Sequence, residues 1–226
     1  LAALVKNKYD TWIKSSLPWV GFSALTLGAG TFVGGFWAYK VLGWGGYWGW
    51  DPVENASLIP WLTTVALVHG FILEKNKNSL RKTNLFLAII SFLLVLYGTF
   101  LTRSGVLADF SVHSFADLGL NKYLIFFLIL FSAFSLGLLI YRSTKLKSAE
   151  SGKSVLSQEF AVLLGIIFLS LSAVLVLIGT SAPIITGFLG KASNVSVPYY
   201  IRTNLPIAII LGFLLSLSPF LPWKET

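Results

Sequence analysis

The 226-residue chain contains no cysteine and no methionine. Without cysteine it can close no disulfide, offer no thiolate to a metal and anchor no cofactor through its own sulfur. Because methionine is missing even at position 1, the sequence is expected to begin inside a longer reading frame. Charge is scarce as well. Asp, Glu, Lys and Arg make up 12% of the residues, about half the ~25% of a soluble domain, which excludes an ordinary soluble fold. Histidine occurs twice and acidic residues nine times against seventeen basic ones. No apolar stretch carries the n-region and small-residue cleavage pattern of a signal peptide. No fixed-period repeat and no linker divides the chain.

What is present is apolar length. Hydrophobic residues make up 55% of the chain and the mean hydropathy is +0.78. Runs of about 20 apolar residues, enough for a ~30 Å hydrocarbon core, recur at about 17–41, 52–73, 84–102, 122–141, 158–180 and 205–222. The fold class expected is all-α, a polytopic integral membrane protein with about six transmembrane helices forming one segment over 1–226. The net charge of +8 is distributed unevenly. The N-terminal stretch, loops 74–83 and 142–157 and the tail carry twelve Lys and Arg. Lys40, Arg103, Lys122, Lys191 and Arg202 fall on the other side. By the positive-inside rule both ends of this segment are cytoplasmic, and loops 42–51, 103–121 and 181–204 face outward. The basic excess is a topology signal, so no nucleic-acid partner is expected. Lys6 to Trp19 fits an interfacial amphipathic segment.

One outward loop departs from the Leu/Ile/Phe background: "GWGGYWGWDPVENASLIPW", residues 43–61. Five of the eight tryptophans, Trp37, Trp44, Trp48, Trp50 and Trp61, fall within residues 37–61. Gly43, Gly45, Gly46 and Gly49 permit sharp turns, from which Trp44, Tyr47, Trp48 and Trp50 would be displayed. Asp51-Pro52-Val53-Glu54 reads as a helix start, with an Asp cap, Pro at the first position and a Glu that reaches back. Pro60 deprives the Ala56 carbonyl of its partner and predicts a kink. A headgroup-level aromatic belt explains one or two rings per span; a flat apolar ligand at the outer surface explains the cluster together with its glycines.

The stretch "WGGYWGWDPVENAS" (44–57) resembles the tryptophan-rich WWD signature of haem-handling membrane proteins. Its Asp-Pro-Val-Glu-Asn-Ala-Ser ending resembles one branch, the family of cytochrome c maturation protein F, the haem-lyase subunit. "RSGVLADFSVHSF" (103–115) is similar to that family's Arg-Ser-Gly…Ser-Val-His-x-Phe loop, and Gly179-Thr180…Pro183 is a weaker third match. Tyr47 stands where Trp is more usual.

Both histidines acquire a reading from this resemblance. A neutral imidazole can ligate haem iron, although a lone loop histidine is ordinarily a surface residue. The resemblance implies that His113 is one axial ligand to a transient substrate haem lying on the aromatic loop, its partner coming from upstream of Leu1. His69 lies within the second span, where an ionisable residue is a functional-site hypothesis and a buried, hydrogen-bonded histidine is the plain alternative. It follows Asp51 by 18 residues, roughly 27 Å along a helix, so the two histidines cannot serve one macrocycle. The resemblance implies that His69 ligates a permanent intramembrane haem b, with its partner beyond Thr226. Ala66 and Gly70 beside it are small enough for a ring to approach. Arg103, Lys40 and Arg202 could neutralise propionates or meet headgroups; Arg103 alone belongs to a matched motif. Asp51 is grouped with the haem-contacting residues, although capping is a sufficient reading of Asp51 and Glu54.

The activity implied is haem-lyase attachment of haem to the Cys-x-x-Cys-His segment of apocytochrome c at the outer face of the bacterial inner membrane, ahead of the mitochondrial one. No catalytic residue is assigned beyond haem positioning by His113, and this segment alone is expected to be inactive. Implied partners are a membrane-anchored haem chaperone, apocytochrome c with thiol-handling maturation subunits, and quinol as electron source. The alternatives are a non-catalytic haem carrier or exporter of the same WWD family and a structural membrane subunit.

Overall fold

The computed structural model describes residues 1–41, 46–111, 113–115, 119–149 and 154–223. Trp44, with Gly43 and Gly45, lies outside the described residues, as do Lys153 and Lys224. The described chain is helical throughout, without a strand: α1 (Ala2–Lys6), α2 (Trp12–Val41), α3 (Pro52–Lys77), α4 (Arg81–Arg103), α5 (Asn121–Arg142), α6 (Gln158–Thr180), α7 (Ala182–Phe188) and α8 (Val197–Leu217). Six of these, α2 to α6 and α8, are long and apolar enough to cross a membrane.

The spans are not equivalent. In α3, 61% of the most apolar stretch is buried inside the protein, against 11% in each of α2, α5 and α8. It is therefore the hub. Helices α2, α4 and α6 surround it, α5 packs on α4 and α8 on α6. Close approach is made by small residues and fixed by side-chain hydrogen bonds, as expected where lipid removes the hydrophobic preference between helices. Asn84 Nδ2 of α4 donates to the Gly70 carbonyl at 2.8 Å, and a Cβ on Gly70 would overlap the Asn84 amide. Ser91 donates to Thr63 at 2.8 Å. Trp61 Nε1 reaches the Ala24 carbonyl of α2 at 3.0 Å, and α6 meets α8 through Ser172 Oγ on Asn204 Oδ1 at 2.6 Å. Helix α3 runs unbroken through Pro60, whose own carbonyl accepts from the hydroxyls of Thr63 and Thr64.

The segments expected on the basic side meet at one end of the bundle. Ser79 pairs with Ala149, Arg142 donates to the carbonyls of Leu4 and Val5, Lys77 pairs with Glu159 at 3.2 Å, and Gln158 N donates to the Pro222 carbonyl. Glu74 is the anchor there. Its fully buried carboxylate accepts from Trp12 Nε1 (3.0 Å), Arg81 Nε (2.9 Å) and Asn84 Nδ2 (2.9 Å).

The span boundaries differ from expectation most at the last helix. It begins at Val197 rather than 205, with Pro198 in its first turn and Pro206 inside it. An internal proline reads as a boundary in sequence, but α8 is held across it by Tyr200, Asn204 and Ile207, all buried. The segment between α6 and α8 is correspondingly shorter and contains the helix α7.

Candidate functional site

At the end opposite the basic cluster, the aromatic loop enters α3 through the expected capping box. Val53 N donates to Asp51 Oδ2 at 2.9 Å, while Glu54 Oε2 accepts from Asp51 N at 3.3 Å and Gly49 N at 2.9 Å. One residue earlier Trp50 has φ +56°, the left-handed region, which costs a bulky residue on the order of 1–3 kcal/mol. Two contacts hold it there. Asn55 Nδ2 donates to the Trp50 carbonyl at 3.2 Å, and the indole stacks on Tyr200 of α8, 5.0 Å between centroids and 6° between planes. Tyr200 is buried, and Gly179 of α6 is 2.7 Å from its ring when a Cβ is added. The weak Gly179-Thr180…Pro183 match is thus part of the seat behind Trp50.

The rings expected on display divide into two groups. Trp50 gives one face to Tyr200. Trp48 stands edge-on to Trp50, at 89°, and its Nε1–H is buried with no hydrogen-bond partner among the described residues. Tyr47 is 57% exposed and stacks on Tyr39 at 4.5 Å and on Phe36 at 6.5 Å. Three clefts adjoin Trp48. One of about 390 Å³ lies between α2 and the start of α3 and is bordered by Gly30, Gly34, Trp37, Ser57 and His113. A second, about 460 Å³ and apolar, is bordered by Phe32, Tyr47, Trp50 and Trp61. The third, about 800 Å³, is bordered by Asp51, Asp109 and Ser111. Around Gly30 and Gly34 a Cβ would find no atom within 4 Å, so the α2 wall of the first cleft is open at these two positions, between Leu27, Thr31 and Trp37.

His113 arrives at this site from the loop after α4. Its ring Nδ1 lies 3.2 Å from Asp51 Oδ2. Ser111 Oγ donates to the same oxygen at 2.8 Å and accepts from His113 N at 3.1 Å. The loop is tied down on its other side, where the Arg103 guanidinium lies 3.9 Å over the Phe115 ring and Phe115 N donates to the Thr102 carbonyl. Tyr47, Trp48, Trp50, Asp51 and His113 therefore share one site, with Arg103 at the end of α4 where the His113 loop begins. Lys40 sits over Phe36 at 5.8 Å, and Arg202 is exposed on α8.

His69 is elsewhere. Its Nδ1 is 2.8 Å from the Val65 carbonyl one turn back. Together with Val65, Val68 and Ile72 it lies on the side of α3 that the neighbouring helices cover least. Asp51 touches His113, so the ~27 Å of helix between Asp51 and His69 also separates the two histidines. Ser111, Tyr200 and the Gly30/Gly34 wall were not singled out from sequence. The available signal for Ser111 was its place in the Ser-Val-His match; nothing local marks Tyr200 or the two glycines.

A family profile described as cytochrome C assembly protein matches residues 3–107. Curated relatives match over the whole chain. Examples are the cytochrome c-type biogenesis protein ccl1 of Rhodobacter capsulatus, 37% identical, covering 100% of this chain and 34% of the relative; CycK of Bradyrhizobium diazoefficiens, 38%, 100% and 34%; and CcmF of Haemophilus influenzae, 36%, 100% and 35%. The chain thus spans about a third of the length of the curated relatives it matches. A solved structure of the cytochrome c haem lyase CcmF superimposes with a TM-score of 0.77 at 30% identity, covering 100% of this chain and 33% of that one. Sequence and helix arrangement agree along the whole chain: it belongs to the CcmF family of cytochrome c-type biogenesis proteins and corresponds to about one third of their length.

Proposed function

We propose that this chain carries the outer-face haem-handling site of a cytochrome c haem lyase, and that in a bacterial inner membrane its basic end is cytoplasmic. The observation that carries the reading is the meeting, at one end of the bundle, of the open Gly30 and Gly34 positions of α2, the Trp48 indole and the imidazole of His113 around one cleft. The parts fit a porphyrin. The buried Trp48 Nε1–H lacks an acceptor, which a propionate would supply; the Gly30 and Gly34 faces are open, as a planar ring requires. Tyr47 offers further exposed aromatic surface, and Arg103 is the nearby cation suited to carboxylate contact.

In this reading haem at the outer site is the substrate. His113 holds its iron, the aromatic loop fixes its plane, and the Cys-x-x-Cys-His segment of apocytochrome c comes to it. Each thiol adds across a vinyl group: a carbon–sulfur bond forms and the thiol proton goes to the other vinyl carbon, with no net oxidation. The chain contributes position, holding one reactant still while the other approaches. A membrane-anchored haem chaperone would deliver the haem and thiol-handling subunits would present the reduced apocytochrome.

His69 fits a second role. Its Nδ1 faces the Val65 carbonyl, so the neutral ring carries its proton there and its lone pair on Nε2, the arrangement of a metal-ligating imidazole. A haem b held at His69 would supply a reversible one-electron couple, refilled from quinol. The test uses the full-length protein in haem-replete membranes. His113→Ala is expected to keep a b-type spectrum and to mature no c-type cytochrome; His69→Ala is expected to lose the b-type spectrum. Normal maturation by His113→Ala, or by a variant with Tyr47, Trp48 and Trp50 all replaced by leucine, would overturn the assignment.

A further inference from the structure

We infer that Asp51 is a positioning residue: it acts on haem iron through His113, by fixing the orientation and tautomer of that ring, and not as a haem contact. The inference rests on the reading of His113 as the axial ligand.

Three observations carry it. First, capping uses only a fraction of what Asp51 does. A single bond from Val53 N to Oδ2 makes the cap, and Ser or Asn would cap as well as Asp. The other two donors, Ser111 Oγ and His113 Nδ1, come from 60 and 62 positions away and add nothing to the helix start. Second, the acceptor has one sign only. An ionised carboxylate donates no hydrogen bond, so a neutral His113 facing it carries its proton on Nδ1 and its lone pair on Nε2. In water the two tautomers interchange; here one is selected. Third, Ser111 locks the arrangement from both sides, giving its hydroxyl proton to Asp51 and receiving the His113 backbone N–H. The imidazole is thereby held both by its ring and by its backbone.

The same geometry argues against direct haem contact. Haem carries its own carboxylates, and a second carboxylate against them would repel. Placed behind the imidazole, the Asp51 carboxylate instead holds the ring through Nδ1. Such outer partners of metal-ligating histidines are worth about 10–100-fold in affinity.

The experiment compares Asp51→Ser, Asp51→Asn and His113→Ala in the full-length protein labelled with ¹⁵N-histidine. Serine keeps the cap but is too short to reach the ring; asparagine keeps cap and acceptor oxygen but loses the charge. In the haem-free protein, the imidazole resonances that vanish in His113→Ala are expected to report an Nδ1-protonated ring. Asp51→Ser is expected to lose that selection. Haem held at the outer site should then dissociate about 10–100-fold more readily in Asp51→Ser, with Asp51→Asn between it and the parent. An Nε2-protonated ring in the parent, or a ring unchanged by Asp51→Ser, overturns the inference. So does an equal loss of haem on adding Asp51→Ser to His113→Ala, since Asp51 would then touch haem itself. If Asp51→Ser shifts the tautomer while neither it nor His113→Ala alters haem retention, the axial-ligand reading fails and the contact alone stands.

Discussion

Helix α3 bears a carboxylate that collects distant donors at each end, and the two are used differently. Glu74, at the basic end, is completely buried and takes its bonds from Trp12 of α2 and from Arg81 and Asn84 of α4. All of these sit in or at the start of helices, and the Glu74 side chain is fully buried. Asp51, at the outer end, has its side chain 10% exposed, takes its bonds from a loop and borders the largest of the clefts around Trp48. The first arrangement clamps three helices together. The second holds a titratable ring at the edge of open space. A carboxylate is costly to bury unless its donors are complete, and the same chemistry therefore serves as a staple where the donors sit in helices and as an anchor for a loop where they come from Ser111 and His113.

The contrast can be broken experimentally, beginning with the largest effect. Glu74→Ala strands the Arg81 charge and two buried donors, and is expected to destabilise the bundle by about 3–5 kcal/mol, read as a lower thermal unfolding midpoint in detergent. Asp51→Ala should cost far less, roughly 1–2 kcal/mol for a lost cap, measured in the same melt, yet should impair haem retention at the outer site where a rescued, folded Glu74→Gln does not. Trp48→Phe keeps the ring and removes the unpartnered N–H; a lost hydrogen bond of about 1 kcal/mol should weaken haem retention roughly fivefold without moving the melting point. Smallest is Gly34→Ala, whose Cβ meets nothing. It is expected to stabilise α2 by roughly 0.5–1 kcal/mol, whereas Gly34→Leu at the same place should fill the cleft and exclude haem while the melt stays at or above that of the parent.

The parts legible in advance were those governed by local chemistry. The fifth apolar run coincides with α6, the Asp51-Pro52-Val53-Glu54 start forms its capping box, and the segments grouped by their Lys and Arg content meet at one end of the bundle. The parts that were not legible involve partners far apart in sequence. Nothing near Trp50 announces Tyr200, 150 positions later, as its stacking partner. Nothing in α2 distinguishes Gly30 and Gly34, which face open space, from Gly28, where a Cβ would lie 2.5 Å from Trp61 Nε1. The late start assigned to α8 has the same origin: Pro206 is a breaker by local rules, and only packing against α6 carries the helix through it.

Apolar run length, charge asymmetry and capping residues depend on a few neighbouring positions and on the solvent, so the sequence by itself determined six spans, their common sidedness and the helix start beneath the aromatic loop. That Asp51 is the carboxylate beneath His113 and that one face of Trp50 is covered by Tyr200 were decided by tertiary structure alone. Each of those depends on side chains separated by about 60 to 150 positions meeting within a few ångströms, and hydrogen bonds and ring stacking act only at that range.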